Sequence, residues 1–334
     1  MEARRLGNSG LIVSSLGLGT MTFGLQADRT ASFAILDKAF AAGVTLIDTA
    51  DVYPLGRTNA EFGATEEILG EWLRSKRHEV VLATKCHGAM GPGPNDRGLG
   101  RRHIMSAVEA SLRRLKTDHI DLYQAHQFDD GTPLEETLRA FDDLVRQGKV
   151  RYVGVSNWPA YQVQRALSVA DRRGLDPIVS VQPRYNLLYR AIETELVPAC
   201  REAGVGIIVY NPMAGGFLSG RYRPGQAVEE GTRFALGGIA RPGERYRGRY
   251  WHDAAFAAAA ALRAFCNLRG LEMATTAVRW TIQQPGITAA LIGASRPEQL
   301  DLSLKAAAGP PLSAEDLREL DDLWYSLPRQ KVEE

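Results

Sequence analysis

The stretch TLIDTADVY, residues 45–53, begins as an apolar run and ends in Asp48, Asp51 and Tyr53. Further along, Lys85, His126, the pair Ser156-Asn157, Gln182 and the pair Tyr210-Asn211 follow other short apolar runs in the same way. Together these residue types suit proton transfer to an oxygen. A phenol is a poor acid at neutral pH, with a free pKa of about 10, and a neighbouring ammonium can lower that value by roughly one to three units. A buried Lys85 needs a carboxylate partner, which Asp48 offers from the adjoining run. His126 can hydrogen-bond a substrate oxygen and turn it toward Tyr53. The product is a general acid for a carbonyl oxygen, a role worth roughly two to four decades in rate. Protonating that oxygen is useful when a hydride reaches its carbon, so a nicotinamide cofactor is implied. Asp51 is read as a rim or turn carboxylate without chemistry. Each residue alone has a plainer reading, Lys85 as a solvated charge or His126 as a core histidine, and only the constellation carries the argument.

These residues have to be brought to one place. Apolar runs at Leu16–Gly19, 44–47, 80–83, 120–123, 152–155, 178–181, 206–209 and 289–292 read as strands, each followed by sequence of helical period. The helical segments include 31–42, 65–74, 104–115, 134–147, 158–172 and 194–202, with Gly43, Gly148 and Gly204 placed as caps. Eight such units predict one (β/α)8 barrel domain over residues 1–334, whose chemistry belongs at the C-terminal strand ends. Asn8–Gly10 predicts a hairpin under the barrel, residues 211–251 a long loop, and the C-terminal segment an extra helix. An open doubly wound sheet is the competing fold, weakened because Thr22 stands where G-x-G-x-x-G requires a third glycine after Gly17 and Gly19.

Composition narrows the function further. With 40 Lys and Arg against 39 Asp and Glu, the balance of +1 suggests neither nucleic acid nor an anionic membrane as partner. No apolar run is long enough to span a bilayer, and MEARRLGNSG lacks the apolar region of a secretory signal. Cys86, Cys200 and Cys266 are odd in number and far apart, and the six histidines form no H-E-x-x-H, so neither disulfides nor a metal is expected. The expected setting is cytoplasmic, with a small carbonyl compound as partner; nothing in the sequence indicates a homo-oligomer.

LIDTADVY, LATKC, IDLYQAH, VGVSNW, VQPRYNLL, YNPMAGGFLSGRY and IGASRPEQL, in this order and spacing, resemble the aldo-keto reductase superfamily nearly end to end. The resemblance implies a (β/α)8 barrel that reduces aldehydes or ketones with NADPH, using Asp48, Tyr53, Lys85 and His126 as a tetrad and Tyr53 as proton donor. It implies that Ser156, Asn157 and Gln182 hold the carboxamide and that Tyr210 stacks on the nicotinamide. Asn211, Pro212, Met213, Ala214 and Gly216, with Leu218, Ser219 and Arg221, would cradle the pyrophosphate. Ser295, Arg296, Gln299 and Ser303 would hold the adenosine end, and Gly19, Thr20, Met21 and Gly293 complete the implied contacts. Ser303 stands where the family often has Asn, and Arg221 where Lys is commoner. RYRGRYW is similar to the aflatoxin-aldehyde-reductase branch, which makes Arg249 a candidate carboxylate anchor. Met21, Phe23 and Trp158 are expected to wall the carbonyl pocket. Two other readings stand beside this one: a Schiff-base aldolase using Lys85, opposed by the adjacent Asp48, and a cofactor-binding regulatory subunit of the same fold that turns over slowly.

Overall fold

The computed structural model describes residues 1–55, 61–237, 241–325 and 327 of the 334-residue chain. A two-stranded antiparallel hairpin, β1 (Ala3–Arg5) and β2 (Ile12–Ser14), precedes the barrel. Eight parallel strands then close on themselves: β3 (Leu16–Gly19), β4 (Leu46–Asp48), β5 (Val81–Cys86), β6 (Ile120–Ala125), β7 (Val150–Ser156), β8 (Ile178–Gln182), β9 (Gly206–Tyr210) and β10 (Ile287–Ile292), with β10 pairing β3. The expected (β/α)8 barrel is therefore the fold, and the open sheet is not.

Helices α1 (Arg29–Ala41), α2 (Ala64–Leu73), α3 (Arg101–Leu115), α4 (Leu134–Arg146), α5 (Ala160–Arg173) and α6 (Leu196–Ala203) cover the outside. The cause is visible in α4: Leu134, Thr137, Leu138, Phe141 and Leu144 recur at helical spacing and are buried, while Glu135 and Glu136 complement the N-terminal dipole. Each large apolar side chain so buried contributes roughly 1.5–3 kcal/mol, and Phe141→Ala would cost about 3–5 kcal/mol. The helix stops at Gly148, whose φ of +73° few other residues adopt. At the bottom, the hairpin drives Leu6 among Val13, Leu46, Leu122, Ile208 and Leu291, sealing the end of the barrel opposite the C-terminal strand ends.

Two expectations need correction. Several strands run further than their apolar stretches, so Asp48, Ser156, Gln182 and Tyr210 are last strand residues and Lys85 lies inside β5. Ladder bonds are made by backbone, which lets a strand continue under polar side chains once its neighbours do the same: Lys85 is in register with Gln124. The segment 211–251 is not all loop. It contains α7 (Pro242–Tyr250), whose Tyr246 and Tyr250 are buried one turn apart within a cluster that includes Phe217 and Phe234. After it come α8 (Asp253–Arg269), α9 (Met273–Gln283), α10 (Asp301–Ala308) and α11 (Ala314–Tyr325).

Candidate active site

Three neighbouring strands set the tetrad. Asp48 ends β4 opposite Gly19 and Ala83, Lys85 follows two residues further on β5, and His126 follows the end of β6. Lys85 is fully buried; its Nζ donates to Asp48 Oδ1 at 2.5 Å and to the Thr49 carbonyl at 2.8 Å. The Tyr53 ring lies with its centroid 5.3 Å from that Nζ and packs edge-to-face on His126 at 5.8 Å between centroids. The expected cluster of four is thus assembled.

Its electrostatics differ from the sequence expectation. Burial, followed by the negative charge of Asp48, pushes the Tyr53 phenol well above its ordinary range. The Lys85 ammonium is spent on Asp48 and Thr49, so it does not acidify the phenol in the way its charge alone suggested. Tyr53 is held neutral. Burial, with the positive charges of Lys85 and His87 added, lowers His126 well below 6.5, which leaves it neutral and able to share a hydrogen bond. The same lysine geometry disfavours a Schiff base, because an ammonium held by a carboxylate is not a nucleophile.

Gln124 was missed. Its Nε2 donates to Asp48 Oδ2 at 3.1 Å beside Gln182 Nε2 at 2.8 Å, so both carboxylate oxygens are satisfied. Room for it comes from Gly154, where a Cβ would stand 3.1 Å from Gln124 Cγ and 2.6 Å from Ser180 Oγ. The signal was available in IDLYQAH, two residues before His126. Asp51 sits in a turn, as expected, but is fully buried, and among the described residues neither carboxylate oxygen has a side-chain hydrogen-bond partner; burial and then the charge of Glu66 push its carboxyl well above the usual range.

A cavity of about 500 Å³ opens from Tyr53, Asp48 and His126. Of the implied cofactor residues it is lined by Gly19, Met21, Asp48, Ser156, Asn157, Gln182, Tyr210, Asn211, Pro212, Met213, Gly216, Ser219, Arg221, Gly293, Ser295, Gln299 and Ser303. The others stand back from it. Thr20 is buried and bonds the Asp48 carbonyl, Ala214 and Leu218 are buried under the cradle, and Arg296 is exposed outside the lining. Of the three residues expected on the pocket wall, Met21 lines the cavity, together with Leu55 and Tyr246; Phe23 and Trp158 take the core position that suited them equally, Trp158 packing against Phe128 at 4.8 Å. Arg249 does line the cavity, as do Thr22, Gln26, Arg233 and Arg245, which the sequence did not single out.

Polar groups along one side are already ordered. Asn157 Nδ2 donates to the His126 carbonyl at 3.0 Å, and its Oδ1 accepts from the Tyr210 hydroxyl at 2.9 Å. Ser156 Oγ donates to the Gln182 carbonyl at 2.9 Å. Past Tyr210 the backbone turns through positive φ at Asn211, Ala214, Gly215 and Gly216. At Gly216 a Cβ would meet nothing within 4 Å, which leaves the backbone open to the cavity. An elongated cleft with a flat aromatic, a row of amides and a glycine turn fits a dinucleotide. Among the described residues no group of His, Cys, Asp or Glu could hold a metal ion, all three cysteines are free and buried, and no helix is long and apolar enough to cross a membrane.

Comparison with known proteins gives the same reading. The model of the aldo/keto reductase family matches residues 15–325. The chain is 38% identical over 331 residues to an uncharacterized oxidoreductase YrpG of Bacillus subtilis, covering 97% of this chain and 96% of that one. It is 36% identical over 320 residues to a probable voltage-gated potassium channel subunit beta of Arabidopsis thaliana, covering 93% of each. Protein tas of Escherichia coli is 35% identical over 332 residues, 92% of this chain and 93% of that one. A barrel with a Tyr, Lys, Asp and His cluster at its mouth and a family match over nearly its whole length admit one conclusion: the chain belongs to the aldo/keto reductase family.

Proposed function

We propose that the chain reduces aldehydes or ketones to alcohols with NADPH, Tyr53 acting as the general acid. One observation carries the reading: a neutral, buried phenol and a neutral imidazole flank the cavity end where Asp48 and Lys85 are already neutralised by one another. NADPH, when bound, supplies the hydride to the carbonyl carbon. Tyr53 transfers its proton to the carbonyl oxygen as charge develops there, and His126 shares a hydrogen bond with that oxygen and fixes its direction. The cation that favours the tyrosinate left behind is Arg233 on the cavity wall. Ser156, Asn157 and Gln182 would hold the carboxamide, Tyr210 the ring face, Asn211 to Gly216 with Ser219 and Arg221 the pyrophosphate, and Ser295, Gln299 and Ser303 the adenosine. Arg221 is ion-paired to Glu229 and must exchange that partner for a phosphate. Arg296, exposed just outside the lining next to Ser295, would take a 2′-phosphate, which favours NADPH over NADH.

The test is NADPH consumption with para-nitrobenzaldehyde, wild type beside Tyr53→Phe. Activity that falls by roughly two to four decades in the variant supports the reading; equal activity in both sinks it. A second reading, a cofactor-binding subunit that turns over slowly, draws on the relatives named channel beta subunits. NADPH binding with no turnover across a panel of carbonyl compounds would favour it.

A further inference from the structure

Three stretches far apart in sequence meet at one buried hydroxyl. Tyr250, the last residue of α7, and Asn186, beyond β8, are both fully buried, and neither lines the cavity. The Tyr250 hydroxyl accepts from Asn186 Nδ2 at 3.0 Å and from Asn211 Nδ2 at 2.9 Å. Both lone pairs of that oxygen are then used. Asn186 Nδ2 also donates to the Asn211 carbonyl at 3.0 Å, while its own Oδ1 accepts from the Leu188 backbone at 2.9 Å. The other end of the Asn211 side chain accepts from the Gly215 backbone at 2.5 Å. Asn211 is thus held by both ends of its side chain and by its carbonyl.

That grip has a purpose in the backbone. Asn211 sits at φ +68°, a conformation uncommon for any residue but glycine, and it opens the turn that continues through Ala214 at +50°, Gly215 at +71° and Gly216 at +95°. Two glycines in a turn give it freedom to collapse unless something defines its start. The Tyr250 ring is itself fixed, stacked on Phe217 at 6.4 Å and beside Tyr246 at 6.3 Å, and burial pushes its phenol up to about 12, so the hydroxyl is neutral at ordinary pH.

We propose that Tyr250 and Asn186 are positioning residues: they lock Asn211 in its left-handed conformation and thereby preform the cradle for the cofactor pyrophosphate. The inference rests on the NADPH reading and extends it to residues that touch no ligand. It also gives α7 a role, as the element that carries the locking hydroxyl to the cradle.

Tyr250→Phe removes the acceptor and keeps the ring. NADPH binding is read by nicotinamide fluorescence, and adenosine 2′-monophosphate, which lacks a pyrophosphate, is read as a competitor. The variant is expected to bind NADPH roughly tenfold more weakly, as two buried amides lose their shared acceptor, with adenosine 2′-monophosphate unaffected within about twofold. In turnover the loss falls on KM for NADPH and not on kcat. Equal NADPH affinity in variant and wild type overturns the inference, and so does a parallel loss for both ligands, which marks a structural role only. If Tyr250→Phe does not fold, Asn186→Ala is read in the same way, since it removes one of the two donors to the Asn211 carbonyl, the other being the Ala214 backbone, and leaves the Tyr250 ring. Wild-type protein that binds no NADPH overturns the functional reading and this inference with it.

Discussion

The two sides of the barrel mouth are built in different ways. On one side, Asp48, Lys85, Gln124 and Gln182 lie on four strands, all buried, each placed by ladder register and joined through the two oxygens of Asp48. On the other, the described residues of the segment from Asn211 to Tyr250 form no ladder and are held by a few polar tethers and an aromatic cluster. Strand register resists local change because moving one residue breaks bonds to two neighbours. A tethered turn can loosen without unfolding anything. On the function proposed above, chemistry would be fixed on the rigid side and ligand affinity set on the adjustable one.

The strongest way to break this contrast is Lys85→Met. Methionine approximates the volume, and the substitution leaves Asp48 buried with only amide donors. Breaking a buried pair by removing one member costs roughly 3–5 kcal/mol, so urea unfolding should show that loss along with the loss of turnover. Full stability in the variant would mean that the strand side is not held together electrostatically.

A finer test lies within the strand side, between two carboxylates three residues apart. Asp48 has both oxygens satisfied; Asp51 is buried with neither bonded to a side chain among the described residues, and its carboxyl is pushed up by burial and by Glu66. A raised folded value means that the folded chain holds a proton the unfolded chain releases above about 3.9. The stability this group contributes is full below that pH and declines as pH rises toward the folded value. Asp51→Asn does not titrate. Relative to wild type it should gain about 1.4 kcal/mol per pH unit as pH rises through the range between the two values. Chemical denaturation from pH 5 to pH 7 checks this; a difference independent of pH would show that Asp51 is ionised in the fold.

The pair also shows what the sequence could and could not disclose. Asp48, Lys85, His126, Ser156, Gln182 and Tyr210 were legible because a parallel strand announces itself by apolar residues, and the polar residue where that run ends has to face the barrel mouth. Asp51 does sit in a turn, as its chain position suggests, but its full burial is a property of packing that no local pattern encodes. Gln124 was hidden by reading β6 as ending at Tyr123, two residues short of its true end. Trp158 and Phe23 suit wall or core equally well in the sequence, because both are large apolar residues near a strand end, and only neighbours such as Phe128 decide. Helix α7 is hard to see by periodicity because its short sequence is rich in Arg and Gly and its buried face is two tyrosines, Tyr246 and Tyr250, that pack on aromatics of the same segment.

The smallest expected effect concerns His126 and bears on both sides of the mouth. Burial and the adjacent Lys85 charge lower this imidazole well below 6.5, so between pH 8 and pH 6 it takes up no proton in the folded chain. Were it to titrate at its free value of about 6.5, kcat/KM for the carbonyl substrate would bend there as the hydrogen-bonding pattern around the oxygen changed. The expected profile, taken at saturating NADPH, is flat through pH 6.5 and bends only in more acid solution. The Tyr53 phenol adds no limb up to pH 10, because it too is displaced, upward. Stability follows the opposite course from Asp51: a depressed histidine contributes stability above its unfolded value and loses it as pH falls toward the folded one. A bend in kcat/KM centred near pH 6.5 that vanished in His126→Asn would place water around the imidazole, and would mean that the strand side of the mouth is as open to solvent as the cradle facing it.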